Sequence, residues 1–129
     1  MEQSVTQLLK TWETNYKKGL LSFWILFLLH QKPMYAYELS AVIASTTQQT
    51  IVADEKSIYR ALKRFSESGI VSSYRQKSDI GPSRRYFELT STGKKLLQQF
   101  IKRNILIYQA PKISTLIQDI LDDKEELND

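Results

Sequence analysis

The segment DEKSIYRALKRFSESGIV, residues 54–71, decides the fold. Its apolar residues recur every three or four positions, which predicts an amphipathic helix over residues 55–68. Asp54 is the expected N-cap and Gly69 the expected stop. At 100° per residue the helix has an apolar side of Ile58, Ala61, Leu62 and Phe65, and an opposite side of Lys56, Arg60, Lys63 and Glu67. The apolar side is expected to join a core, and the cationic side to face either a polyanion or solvent.

A β-hairpin and a long helix are predicted after this segment. Residues 70–77 and 84–89 alternate in polarity as strands do, and SDIGPS between them supplies turn residues. Thr90 is expected to cap a helix that begins near Ser91. Pro111 must bend or interrupt that helix, because proline lacks an amide hydrogen and crowds the preceding turn.

Two helical segments are predicted before residue 54. Residues 3–18 form an amphipathic pattern, and Gly19 alone does not end a helix, so this helix is able to continue through the apolar block that ends at Leu29. Pro33 ends it, because the residue before proline is pushed out of the helical region. A second helix is expected over residues 35–46, followed by a polar connector.

The adjacent arginines of the hairpin are expected to have different roles. Neighbouring side chains on a strand leave opposite faces, so Arg84 and Arg85 cannot share one contact. Phe87 and Leu89 are the expected core pair, which places Arg85 on the packed face, with its stem covering apolar surface. Arg84, on the polar face, is the better candidate for a phosphate or minor-groove contact.

Composition and charge limit the class of protein. The chain has 129 residues, enough for one compact domain and an additional element, and it has no cysteine, which excludes disulfides and thiolate chemistry. Between residues 55 and 103 there are 12 basic and 4 acidic residues. Six acids follow from Asp119 to Asp129 and are expected to solvate a helix end. A basic middle region predicts that a polyanion contacts one part of the chain.

A membrane or export role is not expected. The most apolar run, residues 20–29, is ten residues long, whereas a spanning helix needs about 20. No signal peptide pattern is present at the amino terminus. The sequence therefore predicts a cytoplasmic protein with a buried helix in this region.

Enzymatic chemistry has little support in the sequence. His30 is the single histidine and lies near a predicted helix end, where a surface role is the ordinary explanation. There is no HExxH motif, Cys/His cluster or phosphate-binding glycine loop. No catalytic residue, metal site or cofactor is predicted, and a hydrolase lacks any recognisable constellation.

The order of helix, helix, cationic helix, hairpin and long helix predicts a winged helix-turn-helix. The fold class is mainly α with a small β-hairpin (α+β). Residues 1–90 are expected to form the winged domain, including the N-terminal helix. Residues 91–129 are expected to form a helical dimerisation arm.

Three sequence blocks in this order resemble the PadR family of bacterial transcriptional regulators. They are PMYAYEL (33–39), SIYRALKRFSESGIV (57–71) and GPSRRYFELTSTGKKL (81–96), within a resemblance that runs from about Leu20 to Leu97. The chain departs from the common family pattern at Tyr35, Ala36 and Arg60, where histidine, glycine and proline are usual.

The resemblance implies a homodimeric regulator, usually a repressor, that binds a pseudo-palindromic site in double-stranded DNA. The implied recognition-helix contacts are Lys56, Ser57, Tyr59, Arg60 and Lys63, and the implied wing contacts are Lys77, Ser83 and Arg84. The first and last helices would exchange contacts between subunits, and exposed apolar stripes of this size usually find a partner. The expected dimer contacts are Leu8, Trp12, Leu106, Ile113, Leu116, Ile117, Ile120 and Leu121.

Some PadR relatives bind flat aromatic compounds between subunits against a tryptophan of the last helix. Here the tryptophans are Trp12 and Trp24, both in the N-terminal helical region. They are the candidate lining for a small aromatic effector, with burial in a core as the alternative. Two other functions stay open: a winged-helix module that binds an acidic protein, and a nonspecific nucleic-acid-binding dimer.

Overall fold

The computed structural model describes residues 4–123. Helices and a small antiparallel sheet confirm the expected fold class. The last residues of the acidic end, 124–129, lie outside the described residues. The elements are α1 (Val5–Gln31), β1 (Met34–Tyr35), α2 (Ala36–Thr46), α3 (Glu55–Glu67), β2 (Val71–Gln76), β3 (Arg84–Leu89), α4 (Ser91–Asn104), a 3-10 helix (Leu106–Gln109) and α5 (Pro111–Leu121).

Helix α1 joins the amphipathic segment predicted over residues 3–18 to the apolar block that ends at Leu29. It has 27 residues and is therefore about 40 Å long. Ser4 and Gln7 form a capping box in which each accepts a hydrogen bond from the other's backbone N–H. Gly19 lies inside the helix, whose buried residues are Ile25, Leu26, Leu28 and Leu29. No helix within residues 4–123 is long and apolar enough to cross a membrane.

The prediction that α2 begins at Tyr35 is wrong by one residue, because Met34 and Tyr35 form a short strand. Met34 pairs with Phe87, and Tyr35 pairs with Tyr86. Two residues are too few to show the alternation by which a strand is recognised. Strand β1 is therefore set by its pairing with a distant strand, and α2 begins at Ala36.

The hairpin prediction is confirmed, with β3 at the centre of a three-stranded sheet of order β1-β3-β2. Strand β2 runs antiparallel to β3, from Val71 opposite Leu89 to Gln76 opposite Arg84. Val71, Phe87 and Leu89 are buried, as expected for the packed face. We call the face of the hairpin that carries these three residues the inner face, and the opposite one the outer face.

The first compact unit extends through Lys95. Its fully buried side chains come from α1, α2 and α3: Ile25, Leu28, Leu39, Ile43, Ile58 and Leu62. Burying one side chain of this size contributes about 1.5–3 kcal/mol. The helices thus form one core, and the inner face of the sheet adds to the buried set.

The start of α4 is fixed by a close backbone approach. The Thr90 hydroxyl lies 2.7 Å from the Gly69 carbonyl oxygen and accepts a hydrogen bond from the Gly93 backbone N–H at 3.1 Å. This confirms Thr90 as the cap. A Cβ atom at Gly93 would overlap with the carbonyl oxygen of Ile70. Residue 93 must therefore be glycine for the helix to approach the backbone that precedes β2.

A second compact unit begins at Leu96. Helix α4 ends at Asn104, and Pro111 occupies the first turn of α5, where a missing amide hydrogen costs nothing. The interruption expected at Pro111 is therefore present, but it begins earlier. The division expected at residue 90 between a winged domain and a dimerisation arm stays a prediction about assembly.

Candidate nucleic-acid interface

Helix α3 begins at a carboxylate that its first turn holds in place. The backbone N–H of Ser57 donates to Asp54 Oδ1 at 2.7 Å, which confirms Asp54 as the N-cap. This hydrogen bond, then the Ser57 hydroxyl and the charges of Arg60 and Lys56, hold the pKa of Asp54 below its usual value. The capped turn fixes the direction in which the first side chains of α3 project.

The two sides of α3 have the environments that the sequence predicts. Ile58, Ala61 and Leu62 are buried. The opposite side presents exposed cations, and none of them forms a salt bridge with another described residue: Lys56, Arg60 and Lys63. The exposed side therefore offers positive charge to a partner.

The other two predicted contacts on α3 have structural neighbours. Ser57 is half-buried and holds the N-cap through its backbone. The Tyr59 ring lies edge-on to the Phe87 ring, with centroids 6.2 Å apart. Tyr59 thus packs against the inner face of the hairpin, and its side chain keeps 48% exposure.

The outer face of the sheet carries a row of aromatic rings. The Tyr86 centroid lies 5.5 Å from that of Tyr35 and 5.8 Å from that of Tyr74. The Arg84 guanidinium carbon is 4.6 Å from the Tyr35 ring centroid, a cation–π distance. The guanidinium of Arg84 is therefore positioned against β1.

The predicted contacts Lys77 and Ser83 lie in the exposed loop at the tip of the hairpin. Within that loop the Ser78 hydroxyl is 2.8 Å from the Ile80 carbonyl oxygen. Gly81 has a φ of +93°, which favours glycine. Lys77 and Ser83 thus lie at the two ends of this loop, next to β2 and β3 respectively.

Arg75 is not among the contacts predicted from the sequence. It lies directly opposite Arg85 in the β2–β3 register, on the inner face. Arg85 Nη1 donates to Ser73 Oγ at 3.0 Å, and Arg75 Nη1 donates to Ser83 Oγ at 3.4 Å. Alternation along β2 indicates the face of Arg75, but its partner follows from a register that the sequence alone does not set.

The apolar residues expected at a dimer interface are largely exposed in the single chain. On α1, Leu8 and Trp12 are exposed, Trp12 at 74%. In the second unit Ile113 is half-buried, and the other predicted contacts are exposed: Leu106, Leu116, Ile117, Ile120 and Leu121.

The two tryptophans do not form a common pocket within one chain. They lie 12 residues apart on α1, or about 18 Å along its axis. Trp12 lines a shallow groove of about 240 Å³ with Leu9, Glu13 and Tyr16. Trp24 is half-buried and packs edge-on against Phe23 and Phe27.

Residues 25–99 match the model of the transcriptional regulator PadR-like family. That range includes the buried end of α1, the whole sheet, α3 and the first turns of α4. The chain belongs to the PadR-like family. An uncharacterized protein of Lysinibacillus sphaericus is 29% identical over 85 residues, which cover 66% of this chain and 78% of that protein.

Solved structures of transcriptional regulators share the fold. A PadR-like transcriptional regulator of Bacillus cereus is 28% identical, with a TM-score of 0.62. The match covers 81% of this chain and 94% of the Bacillus cereus chain. A transcriptional regulator of Clostridium thermocellum is 27% identical over 74% of this chain and 89% of its own, with a TM-score of 0.65. Bacillus subtilis PadR, solved in complex with operator DNA, is 22% identical over 64% of this chain and 45% of its own, with a TM-score of 0.59.

The PadR sequence blocks have a structural explanation in the first unit. The block at 57–71 forms α3 and leads into β2, and the block at 81–96 forms β3 and the first turns of α4. Thr90 and Gly93 lie in the last block, where the Thr90 hydroxyl contacts the Gly69 carbonyl and Gly93 approaches the Ile70 carbonyl. This block thus includes residues that join the hairpin to the helix after it.

Proposed function

We propose that this PadR-like regulator is a homodimeric repressor without catalytic activity that binds a pseudo-palindromic DNA operator. The observation that carries the proposal is the exposed, cationic side of α3, opposite a buried apolar side. The major groove of DNA admits an α-helix, and basic side chains neutralise the phosphates beside it. Bacillus subtilis PadR, which shares the fold, was solved in complex with operator DNA, and this supports DNA as the partner.

Within this proposal Lys56, Arg60 and Lys63 face the major groove, and Ser57 and Tyr59 hydrogen-bond phosphate at its edges. The wing residues Lys77, Ser83 and Arg84 contact the flanking backbone. Phosphate contacts fix the register of the protein on the duplex, whereas groove contacts read bases.

The exposed apolar residues of α1 and α5 support a dimer of two identical chains. Contiguous exposed apolar side chains usually mark an interaction surface. A twofold dimer would place two copies of α3 about 34 Å apart, one turn of DNA. A cavity for a small aromatic effector that involves both Trp12 and Trp24 would need the second copy, because one chain keeps them apart.

Fluorescence anisotropy with two duplexes tests the proposal. One duplex carries the DNA upstream of the chain's own coding sequence, and the other has the same length and composition in random order. We expect binding to the upstream duplex to be at least about 10³-fold tighter. Equal, salt-sensitive binding to both would indicate a nonspecific polyanion binder, and no binding to either would favour a module for an acidic protein partner.

A further inference from the structure

Arg75 and Arg85 form a like-charge pair that no carboxylate of the hairpin compensates. They are directly opposite each other on adjacent antiparallel strands, where Cβ atoms are about 5 Å apart and like charges destabilise the sheet. Neither arginine forms a salt bridge with another described residue. The acids of the hairpin lie elsewhere, Asp79 in the tip loop and Glu88 on the outer face opposite Ser72.

The pair lies on the same face as the contact between α3 and the sheet. Along β3 the inner face carries Leu89, then Phe87, then Arg85, and the Tyr59 ring of α3 packs on Phe87. Two residues along a strand correspond to about 7 Å. The two arginines are therefore the next inner-face side chains beyond Phe87, toward the tip of the hairpin. Arg84 lies on the opposite face, against Tyr35.

Hydroxyl groups orient both guanidinium groups. Arg85 donates to Ser73 on β2, and Arg75 donates to Ser83 in the tip loop, directly before β3. Each guanidinium has five N–H donors and uses one of them in these contacts. The remaining donors form the planar fork that matches the oxygens of a phosphate group.

We propose that Arg75 and Arg85 together bind one phosphodiester of the DNA backbone in the angle between α3 and the hairpin. This proposal rests on the proposed function. It adds residues on the inner face of the hairpin to the proposed DNA contacts. A bound phosphate offsets the repulsion between the two cations, which explains why a destabilising pair occupies this position. Because a phosphodiester is common to all DNA, the contact contributes affinity and not base selectivity.

The test measures binding of the full chain to a random-sequence duplex at several salt concentrations. The variants Arg75→Gln and Arg85→Gln are compared with Arg103→Gln, which removes the same charge from exposed α4 and belongs to none of the proposed contact sets. Each inner-face variant is expected to bind severalfold more weakly at 100 mM salt, with the log-log salt slope reduced by at most about 0.9, because the two arginines share one phosphate. Arg103→Gln is expected to keep the parent slope.

Urea unfolding of the same variants separates binding from folding. Removing one of two repelling charges is expected to leave the urea midpoint equal to or above that of the parent. A lower midpoint would mean a structural pair and would overturn the site, as would inner-face variants that keep the parent's affinity and slope. If the parent binds no duplex at all, the proposed function fails, and this site fails with it.

Discussion

Helices α3 and α5 are amphipathic and of similar length, 13 and 11 residues, but their apolar sides have opposite environments. Helix α3 buries Ile58 and Leu62 and exposes its cations. Helix α5 exposes Ile117 and Ile120. The same periodic pattern thus occurs in two situations. Helix α3 buries its apolar side within its own unit and exposes its charged side, whereas the apolar side of α5 is exposed. Periodicity identifies the sides of a helix, and the packed structure identifies which of them is buried.

The largest effect is expected from removing the cations of α3. The double variant Arg60→Ala, Lys63→Ala should lose specific binding, a reduction of about 10³-fold or more to the nonspecific level. Both side chains are exposed, so the urea midpoint should change little. Anisotropy with the upstream duplex measures the first quantity, and urea unfolding followed by circular dichroism measures the second.

A charge-matched control is the double variant Lys94→Ala, Lys95→Ala, which removes two exposed cations from the first turns of α4. It should retain discrimination between the upstream and random duplexes. Operator binding by the folded α3 variant at the parent's affinity would refute the assignment of α3 to the major groove.

A charge on the apolar side of α5 should act on assembly. Ile117→Asp places a carboxylate in the proposed dimer contact, where an unpaired buried charge is costly. We expect mainly monomer at micromolar concentration by sedimentation and, through lost avidity, roughly 10²-fold weaker operator binding. Thr115→Asp is the matched control, because Thr115 lies on the other side of α5. If Ile117→Asp sedimented like the parent dimer, the apolar side of α5 would not be the interface.

Much of α3 could be predicted from the sequence because its signals are local. The periodicity, the Asp54 cap and the Gly69 stop lie within one segment, and the observed helix matches the prediction to within a residue. The exposed cations follow from the same pattern. Strand β1 could not be predicted, because Met34 and Tyr35 are set by pairing with β3.

The β2–β3 hairpin has features that local sequence patterns predict and others that they do not. Alternation indicated that Arg84 and Arg85 take opposite faces, and that Phe87 would be buried. It did not indicate that Arg75 lies opposite Arg85, because the register depends on the geometry of the long loop at residues 77–83. The break at Asn104 likewise has no local signal comparable to Pro111.

Gly93→Ala should lower the stability of the fold without changing the cationic side of α3 or the apolar side of α5. The new methyl group would overlap with the Ile70 carbonyl oxygen, and overpacking of this kind costs about 1–3 kcal/mol. Urea unfolding measures the loss. Gly19→Ala is the control, because nothing lies within 4 Å of a Cβ there and alanine in a helix interior gains up to about 1 kcal/mol over glycine. Equal stability of the parent and Gly93→Ala would contradict the close approach.

The smallest effect is expected at the N-cap of α3. The pKa of Asp54 is lower in the folded chain, chiefly through the Ser57 N–H, so its charge stabilises the fold above the unfolded pKa of about 3.9. This contribution is lost as pH falls through the folded pKa. Asparagine caps a helix comparably but does not titrate. The difference in urea midpoint between the parent and Asp54→Asn should therefore shrink below about pH 4, and a difference that is constant with pH would exclude this linkage.

Both tryptophans of the chain lie on α1, one exposed and one half-buried, and neither belongs to α3 or the hairpin. Selective excitation of indole therefore observes a single helix. Emission from Trp12 is sensitive to whatever covers the amino-terminal part of that helix, whereas a duplex on the cationic side of α3 touches no indole under the proposed arrangement. Under the proposed arrangement, tryptophan emission therefore reports subunit association separately from DNA binding, with no label added.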